Sequence, residues 1–341
     1  MYPAPGTFAL GTFSTEDRAA FPAVLLQGEA LPLAALGNDL ARYGSVLAVL
    51  EDWDRAFALI RARIDSVTPN HRLNPAGLKV HPPLLPRQIF CTGANYRQHV
   101  LELMAAQASP ETAALGADER RAYAAKMMDA RIATGRPYAF SKAVSAVAGP
   151  YDDVIIPHDV TEPDWELELG VIIGRPARHV QRTDALRYVA GYTVVNDITA
   201  RERIYRPDIK AIGTDWLAGK CAPTFLPMGP FFVPAAFVPE PMKLRLTLKL
   251  NGAVMQDSTT ADMMFDIARQ IEHIAGCTQI LPGDLICTGS PAGNGAHYGR
   301  YLRPGDVLEG AIETVGTIRN PCVAERRAHE AARVRPTPAP P

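Results

Sequence analysis

The part of the chain that decides the fold is the stretch 164–174, Asp164-Trp165-Glu166-Leu167-Glu168-Leu169-Gly170-Val171-Ile172-Ile173-Gly174. Residues i and i+2 of a strand share a face, so Glu166 and Glu168 lie opposite Trp165 and Leu167. The face of the glutamates continues with Gly170 and Ile172, which predicts that it is at least partly buried. Two neighbouring carboxylates in such surroundings repel each other unless a cation lies between them. The alternative is an ordinary amphipathic strand with a solvated acidic face.

A third carboxylate follows the next apolar run. The segment 191–196, Gly-Tyr-Thr-Val-Val-Asn, is a predicted strand that is followed directly by Asp197. Three carboxylates without a nearby His or Cys favour Mg²⁺ or Mn²⁺ over zinc or copper. Three protein ligands on an octahedral ion leave three positions for substrate and water, which is the layout of a catalytic site.

The sequence on both sides of these strands predicts an α+β, predominantly β fold. From Tyr151 onward, short β-like runs alternate with Gly and Pro, and a helix is predicted near Thr260–Ala275. Proline supplies 30 of 341 residues, about 9% against a typical ~5%. The predicted strands of this part are Val154–Pro157, Trp165–Ile173, Tyr188–Asn196, Leu244–Leu250 and Asp284–Thr288.

We divide the chain into a small N-terminal domain (residues 1–80), a catalytic domain (residues 81–325) and a flexible tail (residues 326–341). The N-terminal part holds a candidate strand at Phe21–Gln27 and a helix at Asp52–Ile64, before a proline-rich linker at His81–Pro86 and a strand at Gln88–Thr92. A helical lid or insertion occupies about residues 98–136, with a helix start expected at Ser109-Pro110.

Composition excludes several classes of function. The hydrophobic fraction is 47%, the charged fraction 21% and the formal net charge −1, which argues against disorder and against attraction to nucleic acid or anionic membranes. The five cysteines show no C-x-x-C spacing, and the glycine-rich stretch 289–295 matches no nucleotide motif. The N-terminus has no basic region with an apolar core, and no apolar run reaches 18 residues. We therefore expect a cytoplasmic protein that binds neither nucleic acid nor membrane.

The order and spacing of several short motifs resemble the fumarylacetoacetate hydrolase family over roughly residues 88–323. These motifs are Gly93-Ala94-Asn95-Tyr96-Arg97-Gln98-His99, Asp164-Trp165-Glu166-Leu167-Glu168, Asn196-Asp197, Ala200-Arg201, Gly219-Lys220, Pro227-Met228-Gly229-Pro230, Asn251-Gly252, Pro282-Gly283-Asp284 and Thr288-Gly289-Ser290-Pro291. The resemblance implies a mixed β-sandwich or β-roll core and a homodimer. It also implies Mg²⁺ or Mn²⁺ on Glu166, Glu168 and Asp197.

The same resemblance assigns roles to further residues. It implies that Lys220 is a catalytic residue beside the reacting carbonyl. The substrate contacts that it implies are Arg201, Thr288, Gly289, Tyr96 and Lys142.

His99 and Glu102 form a candidate catalytic pair. The pattern Asn95-Tyr96-x-x-His99-x-x-Glu102 places the two side chains on one face if the segment is helical. A carboxylate beside an imidazole fixes its tautomer and raises its basicity, as a general base for water requires. The alternative is a surface His and Glu at a helix start. The resemblance implies that this pair lies on a lid that closes over the substrate.

Three departures from the family pattern concern substrate recognition. Ile204 stands where a substrate-contacting Gln is common, and the Asp that often follows Gly-Lys is absent from Cys221-Ala222-Pro223. The segment between Glu102 and Pro137 is longer than in compact relatives.

Together with the predicted metal site, the family resemblance implies a Mg²⁺- or Mn²⁺-dependent hydrolase that cleaves a carbon–carbon bond in a 2,4-dioxo acid, such as an acylpyruvate or a fumarylpyruvate-like compound. Its place would be in aromatic or related carbon catabolism. The alternatives are a decarboxylase, hydratase or isomerase of a 2-oxo acid that uses a metal-bound enolate on the same site. A further alternative is a member without catalytic activity.

Overall fold

The computed structural model of the protein describes residues 6–17, 19–64, 72–106, 114–209, 211 and 213–326. For residues 102–106 and 117 it describes the backbone alone. The expected helix start at Ser109-Pro110 and most of the predicted tail lie outside the described residues. Within the described residues, every helix is too short or too polar to cross a membrane.

Short strands dominate the described chain. They are β1 (Ala9–Ser14), β2 (Phe21–Leu26), β3 (Glu29–Pro32), β4 (Lys79–His81), β5 (Ile89–Gly93), β6 (Tyr138–Ser141), β7 (Val147–Ala148), β8 (Val154–Ile156), β9 (Pro163–Asp164), β10 (Leu167–Ile173), β11 (Val189–Asn196), β12 (Thr199–Ala200), β13 (Leu226–Pro234), β14 (Arg245–Leu250), β15 (Ala253–Thr259), β16 (Leu285–Cys287), β17 (Val307–Ile312) and β18 (Gly316–Ala324).

The helices are fewer and most of them are short. They are α1 (Asn38–Ala41), α2 (Val46–Glu51), α3 (Trp53–Arg63), α4 (Arg97–Ala106), α5 (Ala117–Thr134), α6 (Trp216–Lys220), α7 (Ile267–Cys277) and α8 (Gly295–Tyr298). The predicted helix near Thr260–Ala275 begins at Ile267, because the Asp266 side chain accepts a hydrogen bond from the Arg269 amide and caps it there.

An 11-stranded mixed sheet runs in the order β3-β2-β1-β13-β11-β10-β16-β5-β6, with β4 paired to β1 and β7 to β13. Its centre, β10 and β11, is buried along its whole length, as the apolar residues on both faces of β10 predict. The N-terminal strands join this sheet directly, since β1 pairs antiparallel with β13.

A second, five-stranded sheet in the order β15-β14-β17-β18-β8 packs on the first. Gly310 of β17 approaches β10 so closely that a Cβ atom there would lie 2.6 Å from Leu167 Cδ1. The two packed sheets and the few helices confirm the predicted α+β, predominantly β class. The strands expected from Tyr151 onward are all present, each within a few residues of its predicted ends.

Candidate metal and substrate site

The ends of two neighbouring strands bring the predicted carboxylates together. β10 and β11 pair antiparallel with Leu167 opposite Asn196, so the start of one strand meets the end of the other. The Glu166 amide donates to Asn196 Oδ1 at 2.8 Å, and the Asp197 amide donates to the Glu166 carbonyl at 2.8 Å. These bonds hold both backbones in place directly beside the acidic side chains.

Glu166, Glu168 and Asp197 form a compact acidic cluster. One carboxylate oxygen from each of the three lies within 4.8 Å of the others, and all three residues are buried. A buried site whose donors are all carboxylate oxygens fits Mg²⁺ or Mn²⁺, the ions expected from the sequence. The residues present are therefore suited to hold such an ion.

Three cationic side chains surround this acidic cluster. The Lys220 ammonium donates to Glu166 Oε2 and Asp197 Oδ2, both at 2.6 Å, and Lys142 donates to Asp197 Oδ1 at 2.6 Å. Arg201 donates to Glu166 Oε1 at 2.5 Å. Arg201 also bonds the buried carboxylate of Asp164, so three cations face four carboxylates.

The charges shift the pKa values of the cluster in opposite directions. Burial raises the pKa of Glu166, but Lys220 and Arg201 outweigh it and lower this pKa to about 2. Burial, reinforced by the charge of Asp197, holds the pKa of Glu168 well above its usual range. Glu168 is therefore the carboxylate whose negative charge is least compensated, and an added cation stabilises its ionised form.

The position of Glu168 depends on Gly289. The Gly289 amide donates to Glu168 Oε2 at 2.7 Å. Gly289 has a φ of 97°, and a Cβ atom on it would lie 2.8 Å from Asn95 Cβ. Only glycine combines this backbone conformation with this close approach.

The acidic cluster faces a cavity of about 760 Å³, which is large enough for a small organic acid. Its lining comes from the strands of the large sheet, from α4 and α6, and from the loop that leads into α8. The lining residues are Thr92, Gly93, Ala94, His99, Phe140, Glu162, Glu166, Glu168, Asp197, Arg201, Glu202, Ile204, Tyr205, Pro207, Trp216, Lys220, Ser290, Asn294, Ala296 and Tyr301.

His99 lies in the first turn of α4, and its side chain lines this cavity. The helical segment that the motif requires is present, and its backbone places Glu102 one turn after His99. The side chain of Glu102 lies outside the described residues. The pairing of the two side chains stays a prediction.

Four predicted substrate contacts lie behind the cavity lining. The Thr288 hydroxyl donates to the Leu169 carbonyl at 2.8 Å, Lys142 donates to Asp197, and the amide of Gly289 holds Glu168. Tyr96 is fully buried. In this arrangement Thr288, Gly289 and Lys142 support the walls of the site, whereas Arg201 reaches the cavity itself.

Two features of the site were not predicted from the sequence. Asp164 is fully buried and accepts a hydrogen bond from Arg201 Nε at 2.8 Å, which orients the guanidinium toward Glu166. Asp164 lies two residues before Glu166, so the alternation of a strand places both side chains on one face, and this spacing could have indicated that Asp164 belongs to the site. The second feature is a stacked pair of rings, Phe140 and Trp216, in the cavity wall. Nothing local in the sequence indicates this pair, since it joins β6 to α6.

Known proteins share this architecture and parts of this sequence. Oxaloacetate tautomerase FAHD2B, mitochondrial, from Homo sapiens is 39% identical over 189 residues, which are 55% of this chain and 59% of that protein. The 2,4-didehydro-3-deoxy-L-rhamnonate hydrolase of Sphingomonas sp. (strain SKA58) is 41% identical over 186 residues, which are 54% of this chain and 64% of that protein. The chain spans about three-fifths of the length of these curated relatives.

A solved structure extends the similarity to nearly the whole chain. It is maleylpyruvate hydrolase from Sphingobium sp. SYK-6, in complex with manganese(II) ion and pyruvate, with a TM-score of 0.69 and 24% identity. The alignment covers 93% of this chain and 100% of that chain, which shows a common fold.

The family model described as fumarylacetoacetate (FAA) hydrolase C-terminal matches residues 88–323, the same span that carries the motifs. The resemblance seen in the sequence is confirmed, and the chain belongs to the fumarylacetoacetate hydrolase family.

Proposed function

We propose that the protein is a Mg²⁺- or Mn²⁺-dependent enzyme that hydrolyses a carbon–carbon bond in a 2,4-dioxo acid. The observation that carries this proposal is the buried cluster of Glu166, Glu168 and Asp197 at the floor of a cavity of about 760 Å³. Relatives that act on oxo acids, and the manganese and pyruvate in the maleylpyruvate hydrolase structure, support it.

Glu166, Glu168 and Asp197 would hold the ion. When bound, it supplies a Lewis acid that withdraws electron density from the 2-oxo and carboxylate oxygens of the substrate. Lys142, Lys220 and Arg201 face four carboxylates, those of Asp164, Glu166, Glu168 and Asp197, so a bound divalent ion would give this centre a net positive charge. That excess attracts an anionic 2-oxo acid.

His99 is the proposed general base. It takes a proton from water, and the resulting hydroxide attacks the carbonyl carbon at position 4 of the substrate. The bond between carbons 3 and 4 then breaks, and its electron pair stays on carbon 3. Carbon 3 regains a proton from His99, so that one water and one acylpyruvate give pyruvate and a free carboxylic acid.

Lys220 is the proposed donor to the oxyanion that forms at carbon 4. Its three N–H groups bond Glu166 Oε2, Asp197 Oδ2 and, at 3.3 Å, the Asp197 carbonyl. The oxyanion role therefore requires that the substrate replace one of these partners. Arg201 is held by Asp164 and Glu166 and presents a fixed positive charge at the cavity.

A second candidate is keto–enol tautomerisation of a 2-oxo acid such as oxaloacetate. The name of the human relative favours it, and the reaction uses the same ion site without a base for water. We further propose a homodimer and a role in aromatic or related carbon catabolism, which rest on the family resemblance, and a cytoplasmic location, which rests on the sequence features described above.

Proton NMR of the Mg²⁺-loaded protein tests the proposal directly. With an acylpyruvate we expect pyruvate and the free acid, and we expect Glu168→Gln to abolish their formation. His99→Ala should abolish hydrolysis as well. Loss of the oxaloacetate enol signal without any cleavage of the acylpyruvate would favour the second candidate instead.

A further inference from the structure

We propose that the site selects 2-oxo acids whose far end is uncharged and apolar or aromatic, and that Phe140, Trp216 and Ile204 determine this preference. The inference rests on the proposed function, because it assumes that the 2-oxo acid end of the substrate lies at the acidic cluster.

An apolar wall begins beside the acidic cluster. The rings of Phe140 and Trp216 stack with their centroids 4.4 Å apart and their planes at 20°. Phe140 lies next to the reaction centre, since the Lys220 ammonium is 5.5 Å from the centroid of its ring. Tyr138 supports both rings from behind, with centroid distances of 6.2 and 5.7 Å. An aromatic surface at this position suits a planar or apolar substituent.

Ile204 lines the same cavity. It is 5% exposed and packs against α6, where a Cβ atom on Gly219 would lie 2.7 Å from Ile204 Cγ1. The aliphatic side chain offers a substrate neither a hydrogen-bond donor nor a charge. Pro207 is a further apolar residue of the lining.

The charges around the cavity favour the same kind of substrate. Among the described lining residues, the side chains that can carry positive charge are His99, Arg201 and Lys220. Arg201 is bonded to Asp164 and Glu166, and Lys220 is bonded to Glu166 and Asp197, so nearby carboxylates largely neutralise both positive charges.

Two further carboxylates, Glu162 and Glu202, line the cavity outside the acidic cluster. Glu202 is fixed there by the amides of Thr161 and Glu162, at 2.8 and 3.2 Å. A second carboxylate placed against Phe140, Trp216 and Ile204 would meet apolar surface, and one placed near Glu162 or Glu202 would meet like charge. Uncharged side chains of the lining that can donate a hydrogen bond include Ser290, Asn294, Tyr205 and Tyr301. Taking a carboxylate out of water without a partner is unfavourable, and a methyl or phenyl group avoids this cost.

Binding of a matched ligand pair to the Mn²⁺-loaded protein tests the inference without requiring turnover. 2-Oxohexanoate and 2-oxoadipate have the same chain length and differ only in a terminal methyl or carboxylate. We expect titration calorimetry to show 2-oxohexanoate binding at least about tenfold more tightly, and 2-oxo-4-phenylbutanoate at least as tightly as 2-oxohexanoate. Equal or tighter binding of 2-oxoadipate would overturn the inference.

A substitution at Ile204 tests whether this side chain causes the preference for an apolar far end. Ile204→Gln adds an amide donor of similar size, so it should bind 2-oxoadipate several-fold more tightly and 2-oxohexanoate less tightly. Leu217→Ala is the matched control, because Leu217 follows Trp216 on α6 but is 72% exposed and outside the lining. An unchanged ratio in Ile204→Gln would remove Ile204 from the proposal. If this variant does not fold, the ligand pair on the unmodified protein decides alone.

The result is separable from the proposed reaction. If the ligand preference holds and no acylpyruvate is cleaved, hydrolysis is wrong and the inference stands. If acylpyruvates are cleaved and 2-oxoadipate binds better, the inference is wrong and hydrolysis stands. If no 2-oxo acid binds to the Mn²⁺-loaded protein, both are wrong.

Discussion

Lys220 illustrates how much a single buried side chain decides at this site. Its ammonium contacts one oxygen of Glu166 and one of Asp197, two of the three proposed ligands of the ion. It therefore favours the ionised form of Glu166 and holds the two carboxylates close together, but it also repels a divalent ion placed among them. Replacing Lys220 should therefore change ion binding and the rate of turnover in different ways.

We predict that Lys220→Met lowers the hydrolysis rate by about 10²–10³-fold, the usual effect of losing one oxyanion donor. Mn²⁺ should bind at least as tightly as before, because a competing positive charge is gone. Electron paramagnetic resonance of free Mn²⁺ measures binding, and NMR of pyruvate measures the rate. Lys243→Met, at a 71% exposed side chain, is the control. An unchanged rate would remove Lys220 from the mechanism, and lost Mn²⁺ binding would give it a structural role.

Gly289 controls the same site through its backbone. We predict that Gly289→Ala destabilises the fold by about 1–3 kcal/mol, because φ is 97° and the new Cβ atom would meet Asn95. Movement of its amide away from Glu168 should also weaken Mn²⁺ binding by about 10–100-fold. Chemical denaturation and Mn²⁺ titration measure the two effects.

Gly276→Ala is the matched control for this prediction. A Cβ atom on Gly276 meets nothing within 4 Å, and the residue lies in α7, where alanine is favoured over glycine. This variant should be as stable as the parent or slightly more stable, with unchanged Mn²⁺ binding. Equal behaviour of the two variants would show that Glu168 does not depend on the Gly289 amide.

At the level of elements, prediction from sequence succeeded where the signal was local. The alternation in β10 and the apolar run of β11 located the acidic cluster, because strand faces and strand ends follow from neighbouring residues. The role of Lys142 could not be derived in this way, since its contact with Asp197 joins residues 55 positions apart. The Phe140–Trp216 stack likewise depends on the packing of β6 against α6.

The turn before β17 provides a test at the same level. Asp306 accepts hydrogen bonds from Arg300, from the Asn251 side chain and from the Arg303 amide, and it is 6% exposed. Burial raises its pKa, but these donors outweigh burial and leave the pKa below its usual value of 3.8. The ionised Asp306 side chain therefore stabilises the folded protein fully above pH 3.8, and this stabilisation is lost as the pH falls below that value.

We predict that Asp306→Asn costs about 1–3 kcal/mol of unfolding free energy at pH 7, since a buried charged acceptor is lost. The difference in unfolding free energy between this variant and the parent should become smaller as the pH falls from 4 toward 3. Urea denaturation over this range measures it. Asp257→Asn, at a surface pair with Arg245, serves as the control and should change little. A difference that does not depend on pH would contradict the role of the Asp306 charge.

At the scale of the whole molecule, the N-terminal strands and the site share one sheet. The sequence predicts a small domain over residues 1–80, because a proline-rich segment follows it and it contains few distinctive motifs. In the structure β1 pairs with β13, which pairs with β11, the strand that ends beside Asp197. The ring of Trp53 in α3 packs edge-on against Phe232 of β13, with centroids 5.2 Å apart. Sequence periodicity carries no information about such long-range pairing.

We therefore predict that residues 6–80 and the site unfold in one transition. Leu10→Ala removes a fully buried side chain opposite Phe232 and should cost about 2–5 kcal/mol. In Leu10→Ala, native-state hydrogen exchange should show the same loss of protection at the amides of β1 and of β10. Adding Mn²⁺ at 100 times its Kd should then raise the free energy of opening by about 2.7 kcal/mol in both strands. Val254→Ala, at a 52% exposed side chain, is the control. Loss of protection confined to β1, with β10 unchanged, would show instead that the N-terminal part unfolds as a separate unit and that the site does not depend on it.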